Sequence, residues 1–72
     1  MGDWRKTDVD YWKLYGGHRC WAEVFWDKGA ETWVWQVFDA GSDVDDGLVR
    51  TAEEGKAIAA QRLAEIVQDG AT

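Results

Sequence analysis

Residues 20–38 decide the fold of this chain, and they read CWAEVFWDKGAETWVWQVF. Two runs rich in β-branched and aromatic residues, 18–27 and 31–39, flank the turn-forming stretch 27–30. Such runs predict two strands, and the Asp-Lys-Gly-Ala stretch between them predicts a turn in which Gly29 is available for a positive φ angle. We therefore expect a long β-hairpin.

The two predicted strands separate an apolar face from a mixed face, since successive residues of a strand point to opposite sides of a sheet. With residues 28–29 at the tip of the turn, Trp26 is expected opposite Glu31. The apolar face, which is expected to form the core, carries Cys20, Ala22, Val24, Trp26, Trp33, Trp35 and Val37. The second face carries Arg19, Trp21, Glu23, Phe25, Thr32, Val34, Gln36 and Phe38. A slip of the pairing by one residue would destroy this separation.

The C-terminal half of the chain predicts a loop, a short strand and a helix. Asp39–Gly47 is rich in Asp and Gly, which favour turns, and residues 48–50 follow as a short third strand. Thr51, with a glutamate three residues later, forms a capping box and predicts a helix from Ala52 to Gln68. The expected buried stripe of this helix consists of Ala52, Gly55, Ile58, Ala59, Leu63, Ile66 and Val67.

The N-terminal segment, Asp3–Tyr15, leaves two alternatives open. Thr7 or Asp8 is suited to cap a short helix that ends at the glycines 16 and 17. The other alternative is an irregular arm that carries aromatic side chains onto the sheet, namely Trp4, Tyr11 and Trp12. Such an arm would cover the hairpin face that the C-terminal helix leaves open.

These elements predict an α+β fold: a small antiparallel sheet (a long hairpin plus a short third strand) packed on one C-terminal helix, with or without a short N-terminal helix. A chain of 72 residues has room for one core, so residues 1–72 are expected to form a single compact domain. Cys20 has no partner for an internal disulfide, and no apolar run is long enough to cross a bilayer. We expect a cytoplasmic protein with no membrane partner.

The net charge of −6 is distributed unevenly along the chain. Residues 1–20 hold four basic and three acidic residues, whereas the rest of the chain holds four basic and eleven acidic ones. Acidic surfaces repel phosphate backbones, because nucleic-acid affinity comes largely from Lys and Arg, and they attract basic surfaces instead. We therefore expect no direct binding of nucleic acid and a protein partner with a basic, nucleic-acid-binding surface. The alternative is that the charge only keeps a Trp-rich chain soluble.

Two sets of residues are candidates for partner binding. The first set is the aromatic and aliphatic side chains on the second hairpin face: Trp21, Phe25, Val34 and Phe38. The second set is a row of carboxylates that would meet the Lys and Arg residues of a partner as phosphates do: Asp39, Asp43, Asp45, Asp46, Glu53 and Glu54. Each set also has a purely structural alternative. The first set would form a small second core under the N-terminal arm. The residues of the second set would favour turns or stabilise the start of the helix.

No constellation for catalysis or cofactor binding is predicted. His18 and Cys20 lie two residues apart on one strand, but a catalytic Cys–His pair needs closer approach and a third, orienting group. One His and one Cys are also too few for a closed zinc site. The sequence therefore predicts no catalytic residue, no metal site and no cofactor, and a protein that is not an enzyme.

Residues 47–51, which read GLVRT, and residues 56–63, which read KAIAAQRL, are similar to the last strand and helix of double-stranded-RNA-binding domains. That family carries clustered lysines at the start of the helix, where this chain has Ala-Glu-Glu-Gly at residues 52–55. The resemblance therefore does not imply RNA binding.

The chain also resembles, in type, the small acidic proteins that phages and mobile elements encode against bacterial defence, the anti-CRISPR proteins among them. The shared features are small size, a compact α+β domain, strong acidity and the lack of an enzyme motif. Many members of that group bind the nucleic-acid-handling surface of a CRISPR effector and block target DNA. The resemblance implies a stoichiometric inhibitor of a nucleic-acid-handling complex. The alternative is a homodimeric structural or regulatory module that associates through its open aromatic sheet face.

Overall fold

A computed structural model describes residues 4–16 and 19–70 of the chain. Within these residues, five strands follow one another in chain order across one antiparallel sheet: β1 (Arg5–Asp8), β2 (Tyr11–Tyr15), β3 (Cys20–Asp27), β4 (Thr32–Asp39) and β5 (Ser42–Val49). The helix α1 (Ala52–Gly70) packs on one face of this sheet. The α+β class is confirmed, but the sheet has five strands and not a hairpin with one short strand.

The N-terminal segment forms strands β1 and β2, so the prediction of a short N-terminal helix is wrong. In β2, Trp12 and Leu14 point to the helix side and join the core, whereas Tyr11 and Tyr15 point to the opposite side. Both sides of β2 are therefore partly apolar, which hides the period of two in the sequence. The segment pairs edge to edge with β3 and extends the sheet, and it does not lie across the other face as an arm. Gly17, at the expected helix end, lies outside the described residues.

The hairpin of β3 and β4 has the predicted faces but a different register. Trp26 lies opposite Trp33, two residues beyond the expected Glu31. The two indole rings meet edge to face, with their centroids 5.7 Å apart. Because the shift is two residues and not one, every side chain stays on its predicted face.

The loop between β3 and β4 explains the shift in register. It consists of residues 28–31 and is held by the side chain of Asp27, whose Oδ1 accepts hydrogen bonds from the backbone N–H groups of Gly29 and Ala30 at 2.9 and 3.3 Å. The positive φ angle of this loop, 53°, lies at Glu31 and not at Gly29. The turn is therefore longer than the pattern indicated.

The acidic stretch that was expected as a loop forms most of strand β5, so that prediction is wrong. Ala40 and Gly41 close a two-residue turn with φ angles of 55° and 85°, the combination that matches the twist of paired strands. β5 then pairs with β4, and its register skips Val44, which forms a β-bulge. Asp is depleted in strands, so the composition of this stretch indicated a loop. Charged side chains nevertheless suit an edge strand, because they oppose its pairing with a further strand.

The core lies between α1 and the helix side of the sheet and consists of Leu14, Ala22, Val24, Trp35, Val37, Val49, Ala59 and Leu63. Trp35 reaches across to β5, where it lies against Gly47. A Cβ atom at position 47 would lie only 2.6 Å from Trp35 Nε1, so a residue without a side chain is required there. Much of the predicted apolar hairpin face is thus confirmed as core.

Helix α1 begins as predicted, with the Thr51 hydroxyl accepting a hydrogen bond from the backbone N–H of Glu54 at 3.1 Å. Its buried stripe is narrower than predicted, because Ile58 and Val67 are 38% and 36% exposed. The buried positions on α1 lie four residues apart and are Gly55, Ala59 and Leu63. These residues let the helix lie close to the sheet.

Candidate binding face

The side of the sheet opposite α1 is covered by none of the described elements, and we refer to it as the open face. Directly paired residues of antiparallel strands point to the same side, so the side chains of the open face form rows that cross the sheet. Three of these rows are long: a central row and one row on each side of it, which we call the first and the second ridge. The first ridge consists of Asp8, Tyr11, Phe25, Val34 and Leu48. The central row consists of Arg5, Lys13, Glu23, Gln36 and Asp46. The second ridge consists of Tyr15, Trp21, Phe38 and Asp43.

Aromatic rings stack across the strands in both ridges. In the first ridge, the rings of Tyr11 and Phe25 have centroids 5.5 Å apart and planes inclined by 14°. In the second ridge, the rings of Trp21 and Phe38 are 5.0 Å apart and inclined by 13°. Such pairs contribute roughly 0.5–1.5 kcal/mol beyond the area they bury, so the stacking helps to hold the ridges in place.

Glu23, in the middle of the central row, is nearly inaccessible to solvent although no element covers it. The residue is 9% exposed, because the stacked rings on both sides shield it. The Tyr11 hydroxyl donates a hydrogen bond to Oε1 of Glu23, and the Trp21 indole N–H donates one to Oε2 at 2.7 Å. The carboxylate thus joins the two ridges. Burial raises the pKa of Glu23 above its ordinary value of 4.5.

Lys13 lies directly opposite Glu23 on β2 but does not form an ion pair with it. Its Nζ atom lies over the rings of Tyr15 and Trp21, at 5.1 and 5.2 Å from their centroids. The ion pairs found within residues 4–16 and 19–70 do not involve Glu23. Glu23 is therefore a desolvated carboxylate that forms no ion pair in the described part of the chain.

The charge of the open face changes sign from one edge to the other. Arg5 and Lys13 lie toward the β1 edge, whereas Asp46 lies on β5. The bulge at Val44 brings Asp43 onto the same face as Asp46. Desolvation, followed by the hydrogen bond and the negative charge of Asp46, raises the pKa of Asp43. The central row of the open face is thus basic at its β1 end, where Asp8 is the neighbouring residue of the first ridge, and the β5 edge of the face is acidic.

The six acidic residues expected to form one row are divided among three places. Two of them lie on the open face, as described above. Asp39 and Asp45 point to the helix side, where Asp45 Oδ2 lies 3.3 Å from Arg62 Nε of α1. Glu53 and Glu54 lie in the first turn of α1. The structure therefore does not bring the six carboxylates into a single row.

The four hairpin residues predicted to contact a partner all lie in the two ridges: Trp21, Phe25, Val34 and Phe38. Val34 is only 9% exposed, so the aromatic residues present most of the accessible surface of this set. β2 adds Tyr11, Lys13 and Tyr15 to the open face, a contribution that was not predicted from the sequence. Their spacing of two residues was the available signal, but the apolar residues between them concealed it.

A separate groove of about 390 Å³ lies between the end of β2 and the C-terminal half of α1. It is lined chiefly by Leu14, Tyr15, Leu63, Ala64, Val67 and Gln68. None of these lining residues is charged, so the groove offers no ionic anchor for a ligand. We assign no role to it.

His18, the expected neighbour of Cys20, lies outside the described residues. Cys20 carries a free thiol. In the described part of the chain, no group of three or more His, Cys, Asp or Glu residues is placed to hold a metal ion. None of the helical structure described is both long enough and apolar enough to cross a membrane.

Comparisons with protein-family models, with curated proteins and with solved structures give no match to this chain.

Proposed function

We propose that this protein is a protein-binding module that acts as a stoichiometric inhibitor of a nucleic-acid-handling complex and contacts a basic surface of that complex through its open face. The observation that carries this proposal is Glu23, a buried carboxylate at the centre of an uncovered face. Burying a charge is costly unless the charge is paired, and a basic partner would supply the missing cation. The proposed location is the cytoplasm, which is consistent with the free thiol of Cys20.

The two ridges support a protein partner because they offer aromatic surface that is already ordered. Trp and Tyr are enriched among the residues that dominate the binding energy of protein interfaces. The stacked rings of the open face lose little rotamer freedom on binding, since cross-strand contacts already restrain them. Tyr15 and Leu48, at 52% and 68% exposure, add accessible area at the margins.

The acidic edge supports a basic surface on that partner. Asp43 and Asp46 lie close enough for their charges to oppose each other, because, after desolvation, the hydrogen bond and the negative charge of Asp46 contribute to the raised pKa of Asp43. A Lys or Arg residue of the partner would relieve this repulsion. Inhibition would then follow by occupation, because basic residues that contact the open face are no longer available to hold phosphates. The anti-CRISPR resemblance implies the same mode of action.

The competing proposal is a homodimeric module in which two open faces pack against each other. The opposite charges of the two edges favour it, since a two-fold axis parallel to the strands would place the basic edge of one copy on the acidic edge of the other. Glu23 opposes it, because such an axis through the middle of the face brings two buried carboxylates together. Sedimentation at micromolar concentration distinguishes the two proposals. A wild-type dimer that dissociates on the Trp21→Ala substitution supports the homodimeric module, and a monomeric wild-type protein excludes it.

The inhibitor proposal is tested by capture from a bacterial lysate at low salt, with immobilised wild-type protein and a Trp21→Ala variant. We expect the wild-type protein to retain a nucleic-acid-handling complex that is released as the salt concentration rises. The variant should lose it, because Trp21 supplies a stacked ring and one of the hydrogen bonds to Glu23. Added to the purified complex, the wild-type protein should displace bound nucleic acid at a ratio of one to one.

Ile58→Ala is the matched control, because Ile58 is a partly exposed apolar residue on the helix side of the molecule. This variant should capture the complex as well as the wild-type protein does. Equal capture by all three proteins would show that the open face is not the contact. Direct retention of a single-stranded oligonucleotide by the isolated protein would contradict the choice of a protein partner.

A further inference from the structure

We propose that the open face receives an arginine side chain of the partner, with its guanidinium group against the Glu23 carboxylate and between the two ridges. This inference rests on the proposed function, since it names the group by which a basic partner is anchored. It goes beyond that function by assigning one central contact and by choosing arginine over lysine.

Glu23 has acceptor capacity that the structure leaves unused. Each of its oxygens receives one hydrogen bond, from the Tyr11 hydroxyl and from the Trp21 indole N–H. A carboxylate offers about four lone-pair sites, so further donors can be accommodated. Both present donors are neutral, which means that they solvate the negative charge without compensating it. The group that completes the site must therefore be a cation with N–H donors.

The carboxylate of Glu23 favours a planar cation. A guanidinium group donates two parallel hydrogen bonds to a carboxylate, whereas an ammonium group is a strongly hydrated point charge. The Tyr11 O–H and the Trp21 N–H that bond Glu23 lie in the planes of their rings, so both ridges turn ring edges toward the carboxylate. The ring faces stack on each other within a ridge, and Lys13 Nζ already lies 5.2 Å from the centroid of the Trp21 ring. The two parallel hydrogen bonds to Glu23 therefore decide for arginine over lysine.

The charges beside Glu23 give the incoming side chain a direction. Lys13 and Arg5 on the β1 side repel a further cation, whereas Gln36 and Asp46 on the β5 side offer oxygen acceptors. Glu23 and Asp46 lie two strands apart, which corresponds to about 10 Å. We therefore expect the arginine to approach across β4 and β5, with room for a second basic residue of the partner at Asp46.

The test is a titration of ¹⁵N-labelled protein with a hexaarginine peptide and, separately, with a hexalysine peptide, followed by NMR. Hexaarginine should shift the Trp21 indole resonance and the β3 amides beside Glu23, and it should bind more tightly than hexalysine. Glu23→Gln should weaken the binding of hexaarginine about tenfold or more. This variant is expected to fold, because the glutamine oxygen accepts from Trp21 while its amide donates to the Tyr11 hydroxyl.

Glu31→Gln is the matched control, since it removes one negative charge from an exposed loop position and should leave the affinity for hexaarginine unchanged. Equal binding of hexaarginine to the Glu23→Gln variant and to the wild-type protein would overturn the inference, as would shifts confined to the helix side. Equal affinity of the two peptides would reject the choice of arginine.

The same variant separates this inference from the proposed function. If the captured complex binds Glu23→Gln as tightly as the wild-type protein but does not bind Trp21→Ala, the arginine anchor is wrong and the binding face stands. If neither substitution affects capture, the proposed use of the open face fails as a whole.

Discussion

Glu23 gives the chain a pH dependence of stability whose sign follows from its burial. Because burial raises its pKa above the ordinary value of 4.5, the folded chain holds this proton more tightly than the unfolded chain does. The contribution of Glu23 to stability is therefore fully present below that ordinary value. It is lost as the pH rises through the raised pKa. Once ionised, the buried group destabilises the free protein, and a cationic partner would relieve that destabilisation.

Glu23→Gln should remove this loss of stability. We expect the free energy of unfolding of the variant, relative to wild type, to increase from acidic toward neutral pH, because the variant carries no carboxyl group to ionise at this position. Urea denaturation at a series of pH values measures the difference. Glu31→Gln serves as the control for the loss of one negative charge. A difference that stays flat or falls with rising pH would contradict a carboxylate destabilised by burial.

The turn between β4 and β5 holds Ala40 and Gly41 in the left-handed region, at φ angles of 55° and 85°. Alanine is strained there by its Cβ atom, whereas asparagine tolerates this conformation and commonly precedes glycine in such turns. Ala40→Asn should therefore stabilise the fold by about 1 kcal/mol. That gain corresponds to a rise of roughly 4–8 °C in the melting temperature of a domain of this size.

Ala30→Asn provides the control for this prediction. Ala30 lies in the β3–β4 loop and does not have a positive φ angle, so the substitution should leave the melting temperature unchanged. Thermal unfolding followed by circular dichroism measures both variants. Equal changes in melting temperature at the two positions would show that the effect of asparagine does not depend on the geometry of the β4–β5 turn.

The strands differ in how far their sequences reveal them. The alternation in β3 and β4 predicts the faces of the hairpin, but a pattern with a period of two cannot distinguish registers that differ by two residues. The packing of Trp26 against Trp33 and the four-residue loop fix the register, and both are set by three-dimensional contacts. Only the end of β5, at residues 48–49, was predicted as a strand, because the aspartates that precede it are typical of loops. Its strand conformation depends on pairing with β4.

The candidate site was likewise predictable from the sequence only in part. The hairpin pattern places Trp21, Glu23 and Phe38 on one face, and the structure confirms that placement. The burial of Glu23 could not be inferred from β3 and β4 alone. It depends on Tyr11, which only the pairing of β2 with β3 brings beside Phe25 and within hydrogen-bond reach of the carboxylate.

The molecule carries negative charge on both sides of its sheet, and the open face combines that charge with stacked aromatic rings. On the helix side, Asp45 is paired with Arg62, and Glu53 Oε1 lies 3.6 Å from Lys56 Nζ. On the open face, Asp43 lies at the β5 end of the second ridge, and Asp46 lies at the β5 end of the central row. The net charge of −6 attracts a basic partner from a distance, whereas the placement of these two carboxylates determines which side it contacts.

Two double variants with the same change in net charge test this division. Asp43→Asn with Asp46→Asn should weaken partner binding roughly tenfold at low salt, because it removes the acidic edge of the open face. Glu53→Gln with Glu54→Gln removes two charges from the start of α1 and should leave the affinity nearly unchanged. Asp45 stays intact in both variants, since it holds α1 to β5 through Arg62.

The melting temperature of the aspartate variant should not fall, because desolvation, followed by the hydrogen bond and the charge of Asp46, raises the pKa of Asp43, so that the ionised form of Asp43 opposes folding. Titration calorimetry against the captured complex, at low salt and again with added salt, gives the affinities. The difference between the two double variants should shrink with added salt, since the screening length is about 10 Å at 0.1 M. Equal weakening by both would mean that the partner responds to total charge alone, and the acidic edge would then have no special role.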